Sequence, residues 1–174
     1  MVPLALALDV NMNPYEEIEK ALETFSSATD RWDYEEKQGP LWQAAIKYPK
    51  EMMEYFYKYP DHQISISWCL ANVKNIILKE FFIEQSKNKN EYIRWYSFIY
   101  LRKHKSKSII PIFVKGLKDR SSLVKSEAVQ AVKNIKDERV EKALKHLIGL
   151  KSFKKHSPGT YNEAIKILQK YENI

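Results

Sequence analysis

Residues 111–148 read PIFVKGLKDRSSLVKSEAVQAVKNIKDERVEKALKHLI, and this stretch decides the expected fold. Pro111 suits the first turn of a helix, where its missing amide hydrogen costs nothing. A polar turn around Asp119 follows, and Asp137 begins a further helix. Between them lies a helix whose inward side chains are small or branched: Val124, Ala128, Ala131, Val132 and Ile135. Helices of this kind cannot bury their own apolar faces, so the pattern predicts similar helix pairs stacked on both sides.

The same pattern recurs at a shift of 31 residues. The shift aligns Ile93 with Val124, Arg94 with Lys125, Ser97 with Ala128, Leu101 with Val132, Arg102 with Lys133, Ile109 with Val140 and Phe113 with Leu144. Residues 90–148 thus resemble two successive HEAT-type helical repeats, with 111–148 the better match, and residues 160–172 match in part. Tyr100 and His104 depart from the motif, which has a small and an aliphatic residue there, so the earlier repeat is expected to pack differently.

The resemblance implies an all-α fold: a right-handed α-solenoid of stacked antiparallel helix pairs. We expect a single all-helical domain over residues 1–174. Its parts are an N-terminal extension at 1–13, divergent helical pairs at 14–89 and HEAT-like repeats at 90–174. HEAT-like proteins are mostly protein-interaction scaffolds, and a smaller set bind nucleic acid, so the family does not fix a function.

Local signals predict the ends of several helices. Asn13-Pro14 is a good N-cap followed by proline at the first helical position. Residues 28–39 are polar and end in Gly39-Pro40, which predicts a connection before the next helix. Residues 151–159 predict a loop, and Thr160 with Glu163 predicts a capping box at the start of the last helix.

Composition narrows the class of protein. The chain has 174 residues, 44% of them hydrophobic, which suits a globular domain able to bury a core. Cys69 is the only cysteine, which excludes a disulfide within the chain and a zinc site of several thiolates. The apolar run from Val2 to Leu8 lacks the charge and length of a signal peptide, and no stretch is apolar enough for a membrane span. We therefore expect a cytoplasmic protein with no membrane contact.

Charge is unevenly distributed along the chain. Residues 1–61 carry 6 Lys or Arg against 12 Asp or Glu, whereas residues 62–174 carry 23 against 10. The first part therefore has a net charge of −6 and the second of +13. Such asymmetry is typical of a nucleic-acid footprint or of an acidic partner, and it also fits the solvated faces of lysine-rich helices.

Helix geometry turns the alignment into a candidate binding face. At about 100° per residue, Trp95 points away from the core arc of its helix, and Arg102 lies nearly in line with it. Lys133 is the equivalent of Arg102 one repeat on, and Arg94 and Lys125 are added from the aligned helix starts. These residues predict a binding surface on the inner face of the solenoid. The alternative is that a neighbouring segment covers Trp95.

No catalytic, cofactor or metal motif is found, and His104 falls at a core position, where we expect a satisfied buried histidine. We expect a non-enzymatic protein without cofactor or metal that binds a macromolecule, favouring a protein, as an adaptor, regulator or immunity-type inhibitor does. Nucleic-acid binding through the basic residues 62–174 is the alternative. A third is an enzyme resembling HEAT-like DNA glycosylases, which use an Asp flanked by Trp; Asp119 and Asp137 fall at helix ends without a nearby Trp.

Overall fold

A computed structural model describes residues 13–27 and 31–172, and within these ranges all regular structure is helical, with no strand. The all-α class is therefore confirmed. The chain divides into two compact units, Met1–Leu78 and Lys79–Ile174, called here the N-terminal and C-terminal units. The division falls ahead of residue 90, where the repeat pattern begins. The expected N-terminal extension lies, apart from Asn13, outside the described residues.

The N-terminal unit contains four α-helices in its described part: α1 (Pro14–Ser26), α2 (Arg31–Lys47), α3 (Pro49–Lys58) and α4 (Gln63–Asn72). Asn13 caps α1 as predicted, its Oδ1 accepting a hydrogen bond from the amide of Tyr15 at 3.1 Å. The core is formed by the inner faces of these helices, including Ile18, Leu22, Leu41, Met52, Phe56, Ile66 and Leu70. Four large apolar or aromatic side chains of this unit are exposed instead: Tyr57, Ile64, Ile76 and Ile77.

A buried carboxylate joins the two ends of this unit's first helix pair. Glu17, in the first turn of α1, is 4% exposed. Its Oε1 accepts hydrogen bonds from Lys47 Nζ at 2.8 Å and from Tyr48 Oη at 2.9 Å. The hydrogen bond from Lys47 lowers the pKa of Glu17, against burial, which raises it, and with help from Tyr48. The start of α1 is thereby fastened to the end of α2.

The predicted connection before residue 41 is wrong over its described part. Residues 31–47 form one helix, α2, that continues through Gly39 and Pro40. Proline inside a helix removes one hydrogen bond and crowds the preceding residue, at a cost of about 3 kcal/mol. Gly39 has no Cβ and so relieves part of that crowding, and Leu41, Ala44 and Ala45 are buried beyond it. Packing of α2 against α1 and α4 outweighs the local signal.

Over residues 79–172, the described part of the C-terminal unit, there are seven α-helices: α5 (Lys79–Gln85), α6 (Glu91–Lys103), α7 (Ile110–Gly116), α8 (Ser122–Val132), α9 (Glu138–Gly149), α10 (Lys151–His156) and α11 (Pro158–Glu172). Asn90 caps α6, accepting from the amide of Tyr92 at 2.9 Å, and Asp137 caps α9, accepting from that of Arg139 at 2.9 Å. Pro111 lies in the first turn of α7 as predicted. Helix α8 ends at Val132, and Asn134 then takes a left-handed φ of 69°.

The predicted loop at 151–159 and the capping box after it are also wrong. Lys151–His156 forms the short helix α10, and α11 begins at Pro158. Proline at the first helical position is a stronger start than the later Thr160. Thr160 lies inside α11, and its Oγ1 is 3.0 Å from Ser126 Oγ on α8. Thr160 therefore joins two helices rather than capping one.

The core of the C-terminal unit lies between α6 and α8 and the helices packed on them. The predicted inward residues Val124, Ala128, Ala131 and Val132 are all buried, and Ile135, beyond the end of α8, is half-buried. Gly116 of α7 is buried against the ring of Phe98. A Cβ built on Gly116 would overlap that ring and would lie 3.0 Å from the Cβ of Ala128. Glycine is needed there because the two helices approach closely.

The two departures from the repeat motif are packed against each other. Tyr100 is buried between the ring of Phe82, 4.5 Å away, and that of His104, 4.3 Å away. The expectation of a satisfied buried histidine at 104 is wrong: the residue is half-buried, and its Nε2 has no hydrogen-bond partner in the described structure. Burial lowers the pKa of His104, and the charges of Lys103 and Lys79 add to this. The larger aromatic residues are thus accommodated by stacking.

Candidate binding surface

Two of the candidate cations, Arg102 and Lys133, lie at the carboxyl ends of two helices, α6 and α8. Arg102, in the last turn of α6, pairs through Nε with Glu127 of α8 at 2.9 Å. Lys133, just beyond α8, pairs through Nζ with Glu163 of α11 at 2.9 Å. Each of the two aligned cations therefore pairs with a glutamate on a later helix, Glu127 on α8 and Glu163 on α11.

Lys105 brings these two positions together. Its Nζ is 3.4 Å from the carbonyl oxygen of Lys133, to which it donates a hydrogen bond. Burial lowers the pKa of Lys105, and the charge of Arg102 lowers it further. Three cations at or just beyond the carboxyl ends of α6 and α8, Arg102, Lys105 and Lys133, and the two glutamates paired with them are called here the α6–α8 band.

Trp95 is half-buried, and its ring stacks on that of Tyr96 with centroids 5.0 Å apart. The sequence left open whether the Trp95 side chain is exposed or covered by a neighbouring segment, and in the structure its exposure lies between the two. One part of the indole rests on the neighbouring ring, and the rest reaches solvent. Trp95 belongs to the same helix as Arg102, two turns towards its start.

Arg94 is placed differently from the other candidates. It is 5% exposed, and its guanidinium pairs with both carboxylate oxygens of Asp119 at 2.9 Å. It also donates to the carbonyl oxygens of Asn88 at 2.8 Å and Lys89 at 2.9 Å. All three guanidinium nitrogens therefore donate hydrogen bonds. Arg94 joins α6 to the turn before α8 and does not lie on an open face.

The charge of Lys125 acts on Asp119. Burial raises the pKa of Asp119, but the hydrogen bonds from Arg94 and the amide of Ser121, with the charges of Arg94 and Lys125, leave it below its ordinary value. Lys125, half-buried on α8, is thus close to the Arg94–Asp119 pair. The five candidate residues fall into two groups: Trp95, Arg102 and Lys133 towards the band, and Arg94 with Lys125 near the helix starts.

The starts of α6 and α8 border an open cavity that the sequence did not reveal. It measures about 480 Å³ and is lined by Lys89, Asn90, Glu91, Tyr92, Arg120 and Ser121. The Nη2 of Arg120 donates to the carbonyl oxygen of Lys89 at 3.0 Å, which fastens the two loops together. Ser121 is 5% exposed, and its Oγ has no hydrogen-bond partner in the described structure. The sequence does carry one signal of this feature: a basic residue, Lys89 or Arg120, precedes the N-cap of each of the two aligned helices.

The described part of the chain contains no cluster of three or more His, Cys, Asp or Glu side chains arranged for a metal ion. The two aspartates considered for catalysis are held in ion pairs, Asp119 with Arg94 and Asp137 with Arg139 at 2.6 Å. The hydrogen bond from Arg139 lowers the pKa of Asp137 to about 2. Both aspartates therefore occupy structural positions at helix ends.

Comparison with known proteins gives no match from which a function could be assigned. No protein-family model matches the chain, and neither a curated protein nor a solved structure is similar to it. Across the described residues, every helix is too short or too polar to cross a lipid bilayer.

Proposed function

We propose that the chain is a non-enzymatic helical-repeat protein that binds a protein partner through the α6–α8 band and Trp95. In this proposal the C-terminal unit is a short HEAT-like solenoid, and α6, α8 and α11 form its inner layer. The observation that carries it is the repeated ion pair, Arg102 with Glu127 and Lys133 with Glu163, in which the 31-residue shift aligns the two cations.

Contacts along the layer support the stacking. Arg94 pairs with Asp119 and Arg102 with Glu127, and in both pairs the partner lies 25 residues further on. Two ties of the same spacing, one near each end of α6, align α6 and α8 in parallel. Helix α11 continues the layer through the Ser126–Thr160 contact. Parallel second helices are what stacked antiparallel pairs require.

The chemistry of the band favours a protein over a polyanion. Two of its three cations are already paired with Glu127 and Glu163, and these carboxylates would repel phosphates. A protein surface can match alternating charges, and a partly exposed Trp is a common anchor of such interfaces. The alternative to a binding role is a structural one, in which the cations stabilise the carboxyl ends of their helices.

Affinity capture with matched tryptophan variants tests this proposal. Trp42 of the N-terminal unit is 43% exposed and serves as the control. We expect Trp95→Ala to lose a specific protein partner by tenfold or more, as anchor residues do, whereas Trp42→Ala retains it. The partner should persist after nuclease treatment. Identical capture by the wild type and Trp95→Ala, with both proteins folded by circular dichroism, would rule out this surface.

A charge exchange separates the role of the band from its effect on folding. The double variant Arg102→Glu and Glu127→Arg keeps an ion pair at the same place but reverses its polarity. We expect unchanged thermal stability and weakened partner capture. Retained capture would limit the binding site to Trp95 and its surroundings.

Nucleic-acid binding is the second candidate, and the net charge of +13 over residues 62–174 favours it. It would show as affinity that falls steeply with salt, because neutralised phosphates release counterions. Capture lost on nuclease treatment would support this candidate over the first.

A further inference from the structure

Three tyrosine rings form a row across α1 and the end of α3 in the N-terminal unit. The ring of Tyr55 is stacked on that of Tyr15, with centroids 6.0 Å apart, and on that of Tyr59, 4.5 Å away. Tyr55 is only 4% exposed, whereas Tyr15 is 41% exposed and Tyr59 is half-buried. The buried ring therefore supports two outer rings that reach solvent, and the three are called here the tyrosine row.

Carboxylates flank the tyrosine row on both helices. Glu19 lies four residues after Tyr15 on α1, and Glu51 lies four residues before Tyr55 on α3, a spacing that makes side chains neighbours on one helix face. Glu54 accepts a hydrogen bond from Tyr15 Oη. This hydrogen bond raises the pKa of Tyr15, and the charges of Glu54 and Glu51 add to the effect. The row is thus an aromatic surface with a negatively charged border.

A lysine of the chain itself lies on this surface. The ammonium group of Lys58 is 4.9 Å from the centroid of the Tyr59 ring, which is a cation–π distance. The contact with Tyr59 raises the pKa of Lys58, and the charge of Glu19 adds to this, so ring and carboxylate together stabilise a positive charge. In the part of the chain that the structure describes, no lysine or arginine lies over the ring of Tyr15. One end of the row therefore holds a cation, and the exposed ring at the other end is open to one.

We propose that the tyrosine row binds an arginine-rich segment of a partner protein, with one guanidinium group stacked on Tyr15 and neighbouring basic side chains paired with Glu19 and Glu51. Arginine fits this surface better than lysine, because its planar group stacks on aromatic rings and is more weakly hydrated. The charge of the surrounding chain agrees, since residues 1–61 carry a net charge of −6. The surface belongs to the N-terminal unit and does not depend on the function proposed for the α6–α8 band.

Fluorescence anisotropy with a labelled nona-arginine peptide, at several salt concentrations, tests the surface. We expect binding at low salt that weakens as added salt screens the carboxylates. Glu19→Gln with Glu51→Gln should weaken it by about threefold or more, because two ion pairs are lost. The matched control is Glu91→Gln with Glu138→Gln, which removes the same charge from exposed positions of the C-terminal unit. Equal losses in the two double variants would overturn the surface, because net charge alone would explain them.

Two variants of Tyr15 separate the ring from its hydroxyl group. Tyr15→Ala removes the stacking surface and should weaken binding by about two- to fivefold, the effect of one exposed cation–π contact. Tyr15→Phe keeps the ring and frees Glu54 from its hydrogen bond, so binding should be retained or strengthened. Circular dichroism establishes that both variants are folded. Wild-type affinity in Tyr15→Ala, or an equal loss in the two variants, contradicts stacking on this ring.

Lys58 provides a test in the opposite direction, because its ammonium group competes with the peptide for the ring of Tyr59. Lys58→Met should strengthen binding by about twofold or more, and more than Lys74→Met, which removes the same charge from an exposed position elsewhere in the unit. Equal effects of the two lysine variants would contradict a role for the Tyr59 ring.

The choice of peptide tests the partner's chemistry. A nona-lysine peptide has the same charge as nona-arginine and should bind more weakly, because its ammonium groups do not stack. Equal affinities would overturn the arginine assignment and reduce the surface to a charged one. Wild-type protein that binds no nona-arginine peptide at low salt overturns the proposal as a whole, and it leaves the function proposed for the α6–α8 band unaffected.

Discussion

Among the described residues, each unit buries one charged side chain, Glu17 in the N-terminal unit and Arg94 in the C-terminal unit. Glu17 receives hydrogen bonds from Lys47 and Tyr48 and closes α1 against the end of α2. Arg94 pairs with Asp119, and Arg102 pairs with Glu127 at the same spacing further along α6. A single tie closes α1 against α2, whereas two ties of the same spacing set the register of α8 against α6.

The largest expected effect comes from breaking the buried tie of the C-terminal unit. Arg94→Met should lower the free energy of unfolding by about 3 kcal/mol or more, because Asp119 and two carbonyl oxygens lose their partner. Arg102→Met, which breaks the half-exposed tie to Glu127, should cost no more than about 1 kcal/mol. Urea denaturation measures both. Equal losses would mean that the two ties do not differ as their burial implies.

The corresponding change in the N-terminal unit should be milder. Glu17→Gln removes the charge that Lys47 faces, but the Lys47 side chain is 45% exposed and can be hydrated instead. We expect a loss of about 1 kcal/mol. Hydrogen exchange should place faster exchange in α1 and α2 for this variant and in α6 and α8 for Arg94→Met. Exchange that rises in the other unit would show that the ties are not local.

Proline provides the next test, because Pro40 lies inside α2 whereas Pro111 lies in the first turn of α7. Pro40→Ala should restore a hydrogen bond inside α2 and raise the free energy of unfolding by about 1–3 kcal/mol. Pro111→Ala, in the first turn of α7, should change it by about 0.5 kcal/mol or less. Both are measured by urea denaturation. Destabilisation by Pro40→Ala would indicate that the proline ring itself contributes to packing.

Gly116 tests how closely the helices of the C-terminal unit approach. Gly116→Ala should destabilise by about 1 kcal/mol, because overlap with Phe98 outweighs the higher helix propensity of alanine. Gly149→Ala is the control, since nothing lies within 4 Å of the added Cβ, and it should be neutral or slightly stabilising. Adding Phe98→Leu to Gly116→Ala should recover part of the loss. Thermal melts of the variants decide the matter.

The smallest effect concerns acid. The pKa values of Glu17 and Asp119 both lie below their ordinary values in the folded chain. The unfolded chain then binds more protons at low pH, so these carboxylates stabilise the fold above about pH 4 and lose that contribution as the pH falls further. Urea midpoints should be steady from about pH 7 to 5 and fall below about 4. Asp119→Asn should show a shallower fall than the wild type.

The sequence predicted the C-terminal unit better than the N-terminal one, for physical reasons. Helices α6 to α9 and the inward arc of α8 followed from period, caps and Pro111, all of which act locally. The continuation of α2 through Pro40 did not, because packing against α1 and α4 overrides a strong local signal. The short helix α10 was missed for a different reason: its six residues bury only Phe153, so they carry no apolar period that predicts a helix.

The candidate site was predicted in part. The 31-residue register aligned Arg102 with Lys133 but could not reveal that both are paired with glutamates, because partners on other helices depend on the three-dimensional offset. The burial of Arg94 is equally invisible, since its acceptors are Asp119 and two backbone carbonyls. Ser121 carries no signal at all in the sequence, where a serine before a helix is an ordinary cap.

One of the two ties is absent from the second aligned segment. The 31-residue shift carries Arg94 to Lys125 and Asp119 to Leu150, so that segment has the base but not the acid. Directly after Leu150 the chain forms α10, and α11 follows. The other cation does find an acid, since Lys133 pairs with Glu163 of α11. The buried tie of α6 therefore has no counterpart on α8, whereas the half-exposed tie has one.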